Sequence, residues 1–290
     1  MNAIETHKLT KSYGRNRGVI DLELTVEEGD FFGFIGPNGA GKSTTIRTLL
    51  GLITATSGSA KVLGLEAGHS RTRLLSQVGY LPSEAQYYPG MRVKEVLKLS
   101  ARLHGKNCSD EAARLCDRLE LDPSRRVDEL SLGNRKKVGI VCAMQHRPPL
   151  YIMDEPTSGL DPLMQRAFYE LLQERNDEGA TVFLSSHILS EVQRYCRRAA
   201  VIREGRLLVC DTVENLSAAG AKKVSLRGVS QPPQLPGVRG AVSEQDAVSF
   251  YYSGSPAPLM QALAGLPLRD VTISEPDLEE IFLHYYEGEA

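Results

Sequence analysis

The run Gly36-Pro37-Asn38-Gly39-Ala40-Gly41-Lys42-Ser43 fits the pattern G-x-x-x-x-G-K-[ST] in full, and Thr44 follows it. The chemistry this spacing serves is anion capture. Glycines let a backbone wrap closely and turn its N–H groups inward, and a helix that starts where the loop ends adds the positive end of its dipole. Lys42 has the reach to act as a point charge on the β- and γ-phosphates of a nucleotide, and the Ser43 hydroxyl is of the type that ligates Mg²⁺. Further along stands the acidic pair Asp154-Glu155. Asp154 is read as a Mg²⁺ ligand, directly or through water, and Glu155 as the general base that polarises an attacking water.

Such groups must be brought together by rigid elements. Asp30-Phe31-Phe32-Gly33-Phe34-Ile35 is short, apolar and glycine-bounded, which predicts a buried strand running straight into the loop. Ile46, Leu49, Leu50 and Ile53 then follow at the spacing of a helix face. Leu150 to Met153 predicts a second strand ending at Asp154-Glu155, and Thr181 to Leu184 a third ending at Ser185-Ser186-His187. Between them a helix opens with Asp161 as cap and Pro162 at its first position, with Leu163, Ala167, Leu171 and Leu172 on one side. Strands alternating with helices imply an α/β fold with a mostly parallel, doubly covered sheet, whose strand C-termini share one ligand-binding edge.

The segment from about 88 to 147 reads differently. Val93, Val96, Leu97 and Leu103 form one helical stripe, Ala112, Leu115, Cys116 and Leu119 a second behind a Ser109 cap, and Val138, Val141 and Cys142 a third stopped by Pro148-Pro149. An all-helical insertion is expected there. A hairpin from Ala199 to Val209, turning at Glu204-Gly205, closes the core. From 213 to 290 a small α+β appendage is expected. Its strand-like pieces are Lys223 to Leu226, Val248 to Tyr252 and Val271 to Ile273, and its helices lie near 257–265 and 276–286.

Composition narrows the function classes. The 34 Lys and Arg nearly cancel the 36 Asp and Glu, a formal charge of -2, so no basic field exists to hold nucleic acid by counterion release. The longest apolar runs fall far short of the ~20 residues that cross a bilayer, and the N-terminal residues lack the apolar core of a secretory signal. The five cysteines form no C-x-x-C pair, which argues against a disulfide frame or a zinc site. Cys116, Cys142 and Cys196 read as buried thiols in a reducing cytoplasm.

Leu130-Ser131-Leu132-Gly133-Asn134, upstream of the acidic pair, resembles the signature motif of ABC ATPases, commonly LSGGQ, with Leu132 in place of a glycine and Asn134 in place of glutamine. Ser131 also reads as the cap of the following helix, and the two readings are compatible. Other marks fall in family order: Tyr13 in Lys11-Ser12-Tyr13-Gly14 resembles the aromatic that stacks on adenine, Ser158-Gly159-Leu160-Asp161 the D-loop, and His187 the switch histidine. The chain thus resembles the ATP-binding subunit of an ABC transporter over about 1–215, most like the single-domain subunits of drug, antibiotic-peptide or lipid exporters. Ser274 to Phe282 is similar to their closing helix. In one place the sequence departs from the family. After Val78 to Leu81 the usual glutamine is missing and Pro82-Ser83-Glu84 stands there. Ser83 is too short to reach as far, whereas Glu84 reaches but adds negative charge beside Asp154 and Glu155.

The resemblance implies a P-loop NTPase core of the RecA-like type with an antiparallel β portion and a helical insertion (1–212, helical part about 88–147), followed by an accessory domain (213–290). It further implies ATP with Mg²⁺ bound between two cassettes, a homodimer or a pseudo-dimer with a related ATPase subunit. Each nucleotide would meet Lys42, Ser43, Asp154 and Glu155 of one chain and Ser131 and Gly133 of the other. His187 would hold the γ-phosphate, and Asp161 would link the two sites. A separate membrane-spanning permease would carry the cargo, placing the chain at the cytoplasmic face of the membrane. Tyr87 and Tyr88, expected to be exposed in the loop at 82–90, read either as part of the docking surface or as a local cluster. The competing reading is a soluble regulatory ATPase that switches by nucleotide-driven dimerisation without transport. The appendage could regulate, stabilise the dimer or contact the permease.

Overall fold

The computed structural model describes residues 1–14, 16–217 and 222–274. In chain order it begins with β1 (Asn2–Tyr13), β2 (Asn16–Glu27), β3 (Phe31–Ile35), α1 (Lys42–Leu49), β4 (Ser57–Val62), β5 (Leu65–Glu66), α2 (Arg71–Leu75) and β6 (Val78–Leu81). Three helices follow, α3 (Val93–Leu103), α4 (Ser109–Arg118) and α5 (Leu132–Met144). Then come β7 (Leu150–Asp154), α6 (Pro162–Asp177), β8 (Thr181–Ser186), α7 (Leu189–Tyr195), β9 (Arg198–Arg203) and β10 (Arg206–Thr212). The remainder is α8 (Val213–Ser217), β11 (Lys222–Arg227), β12 (Val238–Glu244), β13 (Ala247–Tyr252), α9 (Pro256–Ala264) and β14 (Asp270–Ser274). The chain divides into two compact units, Met1–Asp211 and Thr212–Ala290.

In the first unit a six-stranded sheet has the order β10-β9-β3-β8-β7-β6, and β9, β3, β8, β7 and β6 run parallel. Every residue of β3, β7 and β8 is buried, the continuous apolar pattern of strands covered on both faces. A second sheet, β2-β1-β4-β5, is antiparallel. The helix that follows the glycine loop lies between the two: Ile46, Leu49 and Leu50 share one core with Phe32, Phe34 and Ile152 of one sheet and Leu22, Val26 and Val62 of the other. That burial fixes α1, and with it the loop it begins from. The helix stops at Leu49, because Gly51 leaves in the left-handed conformation (φ 64°), so Ile53 lies beyond it rather than on its inner face.

The cap on α6 is as the sequence predicts: the Leu163 and Met164 N–H groups donate to Asp161 Oδ1 at 3.1 and 3.0 Å, with Pro162 at the first position. Its inner stripe is Met164, Phe168, Leu171 and Leu172, and Leu163, expected inward, is 75% exposed. The helical insertion forms α3, α4 and α5. Val93, Val96, Leu97 and Ala101 make the buried stripe of α3, whereas Leu103 is exposed, having rotated ~200° past Ala101. Ser109 is not the cap of α4. Cys108 holds that position, and the Ser109 hydroxyl donates to Asn107 Oδ1 at 2.8 Å. Charge ties α4 to the core: Arg114 and Arg118 meet Glu174 of α6 at 3.0 and 2.8 Å, and buried Arg175 pairs with Glu111.

Buried on most of its circumference, α5 behaves as a core helix. Just beyond its C-terminal end, His146 stacks on His104 with ring centroids 3.6 Å apart. Burial pushes the His146 imidazole down to about 4, with the neighbouring His104 and Lys106 adding to the effect. Cys116 and Cys196 are buried and Cys142 is half-buried, all three as free thiols.

The second unit has its own core. An antiparallel sheet, β12-β13-β11-β14, places Val224, Leu226, Val248, Phe250 and Tyr252 against Leu259 and Leu263 of α9. The expected closing helix, from Glu275 onward, lies outside the described residues.

Candidate functional site

Register brings the candidate residues to one sheet edge. Ile35 pairs with Ser186 and Asp154 with Ser185, so the loops that leave β3, β7 and β8 start at the same height. Gly39 and Gly41 take positive φ (82° and 110°), conformations that side chains disfavour, and Gly41 stands as the cap of α1 without any side-chain hydrogen bond. With no acidic residue in its first turn, the N–H groups at the start of α1 face the loop unopposed. Pro37, Asn38 and Gly39 are exposed along the rim, Gly36 and Ala40 are buried beneath it, and Ser43 and Thr44 are half-buried in the first turn.

Lys42 is almost fully buried. Its ammonium donates to the carbonyls of Gly36 at 2.5 Å and Pro37 at 3.2 Å, and lies 3.1 Å from Glu155 Oε1. The other Glu155 oxygen, Oε2, is 2.6 Å from His187 Nδ1. Lys42 at the start of α1, Glu155 after β7 and His187 after β8 thus form one continuous polar chain. Glu155 is held in the left-handed backbone region (φ 48°), an uncommon place for a residue with a side chain, and its N–H donates to the Ser185 carbonyl at 3.2 Å.

Asp154 is fully buried. Its Oδ1 accepts from the Ser185 hydroxyl at 2.6 Å, while Oδ2 has no hydrogen-bond partner among the described residues. A buried carboxylate oxygen left in this way suits a hard divalent cation, and with the Ser43 hydroxyl it supplies the donor chemistry Mg²⁺ takes.

Other expected residues stand apart from this chain. Ser131 caps α5, its hydroxyl accepting from the Asn134 N–H at 3.3 Å. A Cβ on Gly133 would lie 2.5 Å from the Gly159 carbonyl oxygen, so the start of α5 and the segment before Asp161 touch backbone to backbone. Among the described residues no hydrogen bond or ion pair joins Ser131 or Gly133 to Lys42, Asp154 or Glu155. Tyr13 is 46% exposed at the end of β1, with the Lys11 ammonium 5.1 Å from its ring centre.

The loop after β6 corrects one expectation and adds a residue that sequence reasoning missed. Tyr88 is exposed, but Tyr87 is not: its hydroxyl donates to the Arg135 carbonyl at 3.0 Å. Lys136 of α5 is 5% exposed, and its ammonium donates to the carbonyls of Ser83 at 2.9 Å and Pro82 at 3.3 Å. Burial pushes this ammonium down to about 8, against the pull of Asp154, Glu155 and Glu84. In the sequence Lys136 is the middle of the basic run Arg135-Lys136-Lys137, which by itself does not single it out.

The parallel sheet and its edge define a P-loop NTPase. Residues 19–158 match the family model described as ABC transporter. The chain is 34% identical over 302 residues to the bacitracin transport ATP-binding protein BcrA of Bacillus licheniformis, covering 98% of this chain and 97% of that protein. It is 32% identical to the Nod factor export ATP-binding protein I of Cupriavidus metallidurans, over 97% of this chain and 96% of that one. A solved ATP-binding subunit of an ABC transporter superposes with a TM-score of 0.71 at 32% identity, covering 75% of this chain and 92% of its own. A dimeric ATP-binding cassette in a post-hydrolysis state, bound to ADP and Pi, shares the fold with a TM-score of 0.65 at 21% identity, covering 72% of this chain and 98% of its own. The chain belongs to the ABC transporter family, as an ATP-binding subunit and an ATPase.

Proposed function

We propose that this subunit powers the export of a substrate through a separate membrane-spanning partner, with Met1–Asp211 as the nucleotide-binding domain and Thr212–Ala290 as an accessory domain. Export is favoured by the relatives, which include the bacitracin transport and Nod factor export proteins and the linearmycin resistance ATP-binding protein LnrL of Bacillus subtilis. Among the described residues no helix is long and apolar enough to cross a membrane. In this reading the membrane-spanning partner supplies the path, and the chain works at the cytoplasmic face.

The observation that carries the reading is the contact of Lys42, Glu155 and His187, with the buried Asp154 next to Glu155 in the chain. Gly36 to Thr44 wrap the triphosphate, and Tyr13 stacks on the adenine. Lys42 takes the phosphate charge that Glu155 now offers it. Glu155, so released, accepts a proton from the attacking water, and His187 orients it and holds the γ-phosphate. Asp154 and Ser43 would hold Mg²⁺, which supplies charge neutralisation on the phosphates when bound. Ser131 and Gly133 serve the nucleotide of a second cassette and Asp161 links the sites, so the working unit is a dimer, either of this chain or with a related subunit. Glu155→Gln tests the scheme. Turnover of Mg-ATP is expected to fall by about 100-fold or more while a nucleotide-bound dimer accumulates in size-exclusion chromatography. A variant that hydrolyses at the parent rate removes Glu155 from its role.

A further inference from the structure

The family's glutamine is absent from the loop after β6: Ser83 sits at its expected position, and the longer, acidic Glu84 follows. The structure shows what holds this loop. From α5, five residues after the Ser131 cap, the ammonium of Lys136 reaches the carbonyls of Pro82 and Ser83. One residue earlier, the Arg135 carbonyl takes the hydrogen bond of Tyr87. One turn later, a Cβ on Gly139 would lie 2.7 Å from Leu81 Cδ1 and 3.1 Å from the Tyr87 hydroxyl, so β6 and its loop lie directly on the helix. Of the groups that bond across this contact, the Lys136 ammonium is the charged one. Asp154, Glu155 and Glu84 are the carboxylates whose field it feels.

We propose that Lys136 is a positioning residue for ATP hydrolysis: its buried ammonium fastens the loop at 82–84 to the signature helix and offsets the added negative charge that Glu84 brings to that loop. The inference rests on the hydrolytic reading of the Asp154–Glu155 edge. A neutral glutamine in that loop would need no counter-charge. Glu84 adds a charge: it is exposed, Glu155 is half-buried and Asp154 buried, and a cation in the field of all three offsets the repulsion that raises a carboxylate's proton affinity and misplaces a base. The same lysine places α5, whose N-terminus carries Ser131 and Gly133, in direct contact with the loop. Movement of the signature helix is thereby transmitted to residues 82–84 through two hydrogen bonds.

The test uses the full chain with Mg-ATP and six proteins: parent, Glu155→Gln, Lys136→Met, Lys136→Gln, Lys136→Met combined with Glu84→Gln, and Glu84→Gln alone as the reference for that double variant. Parent turnover abolished by Glu155→Gln establishes the hydrolytic reading independently of Lys136. On that background Lys136→Met is expected to lower kcat by roughly tenfold or more, with KM for ATP moving by less than about threefold. Lys136→Gln keeps a donor for the carbonyls but no charge, so it is expected to show most of the same loss. It also provides a readable variant should the methionine protein fold poorly. Adding Glu84→Gln to Lys136→Met is expected to restore kcat to within about threefold of Glu84→Gln alone, a coupling that a lysine serving only to hold the fold does not produce. The proposal is overturned if both single variants at 136 keep the parent kcat, or if removing Glu84 restores nothing.

Discussion

Two loops leave the C-terminal ends of parallel strands in the same sheet, one between β3 and α1 and one between β6 and α3, and they are kept in shape by different means. The first draws most of its shape from its own residues, with the Gly205 N–H on the Ala40 carbonyl at 2.9 Å and Glu155 beside Lys42 as contacts from elsewhere. Glycine backbone conformations, the start of α1 and the inward turn of Lys42 onto Gly36 and Pro37 all come from consecutive residues. The second is held from outside, by Lys136, by the Arg135 carbonyl and by the clearance at Gly139, all about 50 residues away in the chain. A loop that carries its own constraints can be recognised by pattern. A loop constrained by a distant helix takes its shape from that helix and moves when the helix moves.

Substitutions can break this contrast. The largest effect is expected at Gly41, whose φ of 110° is strained for any side chain and worst for a branched one. Gly41→Val should destabilise the first unit by about 3 kcal/mol in chemical denaturation and abolish binding of a fluorescent ATP analogue, leaving the loop at 82–87 as protected as in the parent.

Next in size is an acid effect at the far end of α5. The His146 imidazole titrates near 6.5 when unfolded and at about 4 when folded. Between those values the unfolded chain binds more protons, so stability is complete above pH 6.5 and falls as pH drops toward 4, by on the order of 3 kcal/mol at the acid limit. His146→Met should flatten that slope in denaturation series across pH 4–7. If α5 governs the second loop, hydrogen exchange at 82–87 should accelerate in acid before exchange at 36–43 does.

Gly139→Ala meets a flexible leucine end at 2.7 Å and a tyrosine hydroxyl at 3.1 Å, so a cost of about 1–2 kcal/mol is expected, concentrated in exchange at 81–87. The smallest effect belongs to Tyr87→Phe, which deletes one hydrogen bond to the Arg135 carbonyl. About 1 kcal/mol of local protection should be lost, with kcat unchanged within twofold. Equal loosening of both loops by any of these variants would erase the distinction between them.

The same distinction explains what was legible in the sequence. The strand–glycine loop–helix unit, the Asp161-Pro162 start of α6 and the hairpin at Glu204-Gly205 are set by neighbours in the chain, and the structure has them where the residues predict. The inward faces of helices were less secure. Leu103 and Leu163 are apolar and near the expected stripe, yet lie on exposed terminal turns where nothing packs. Strand β12 is exposed along almost its whole length and shows no alternation to read. Lys136 escaped notice for a deeper reason. A lysine inside a basic run such as Arg135-Lys136-Lys137 is ordinarily on a solvated face, and its burial depends on carbonyls supplied by a loop more than 50 residues before it.

The bare-backbone meeting of Gly133 with Gly159 has a mechanical consequence. With the Gly159 carbonyl against Gly133 and the Leu132 side chain laid over Gly159, the tip of α5 and the turn leading to α6 mesh closely, and displacement of either is handed to the other. Anything that presses on that edge of the subunit therefore encounters one stiff lip rather than two independent fingers.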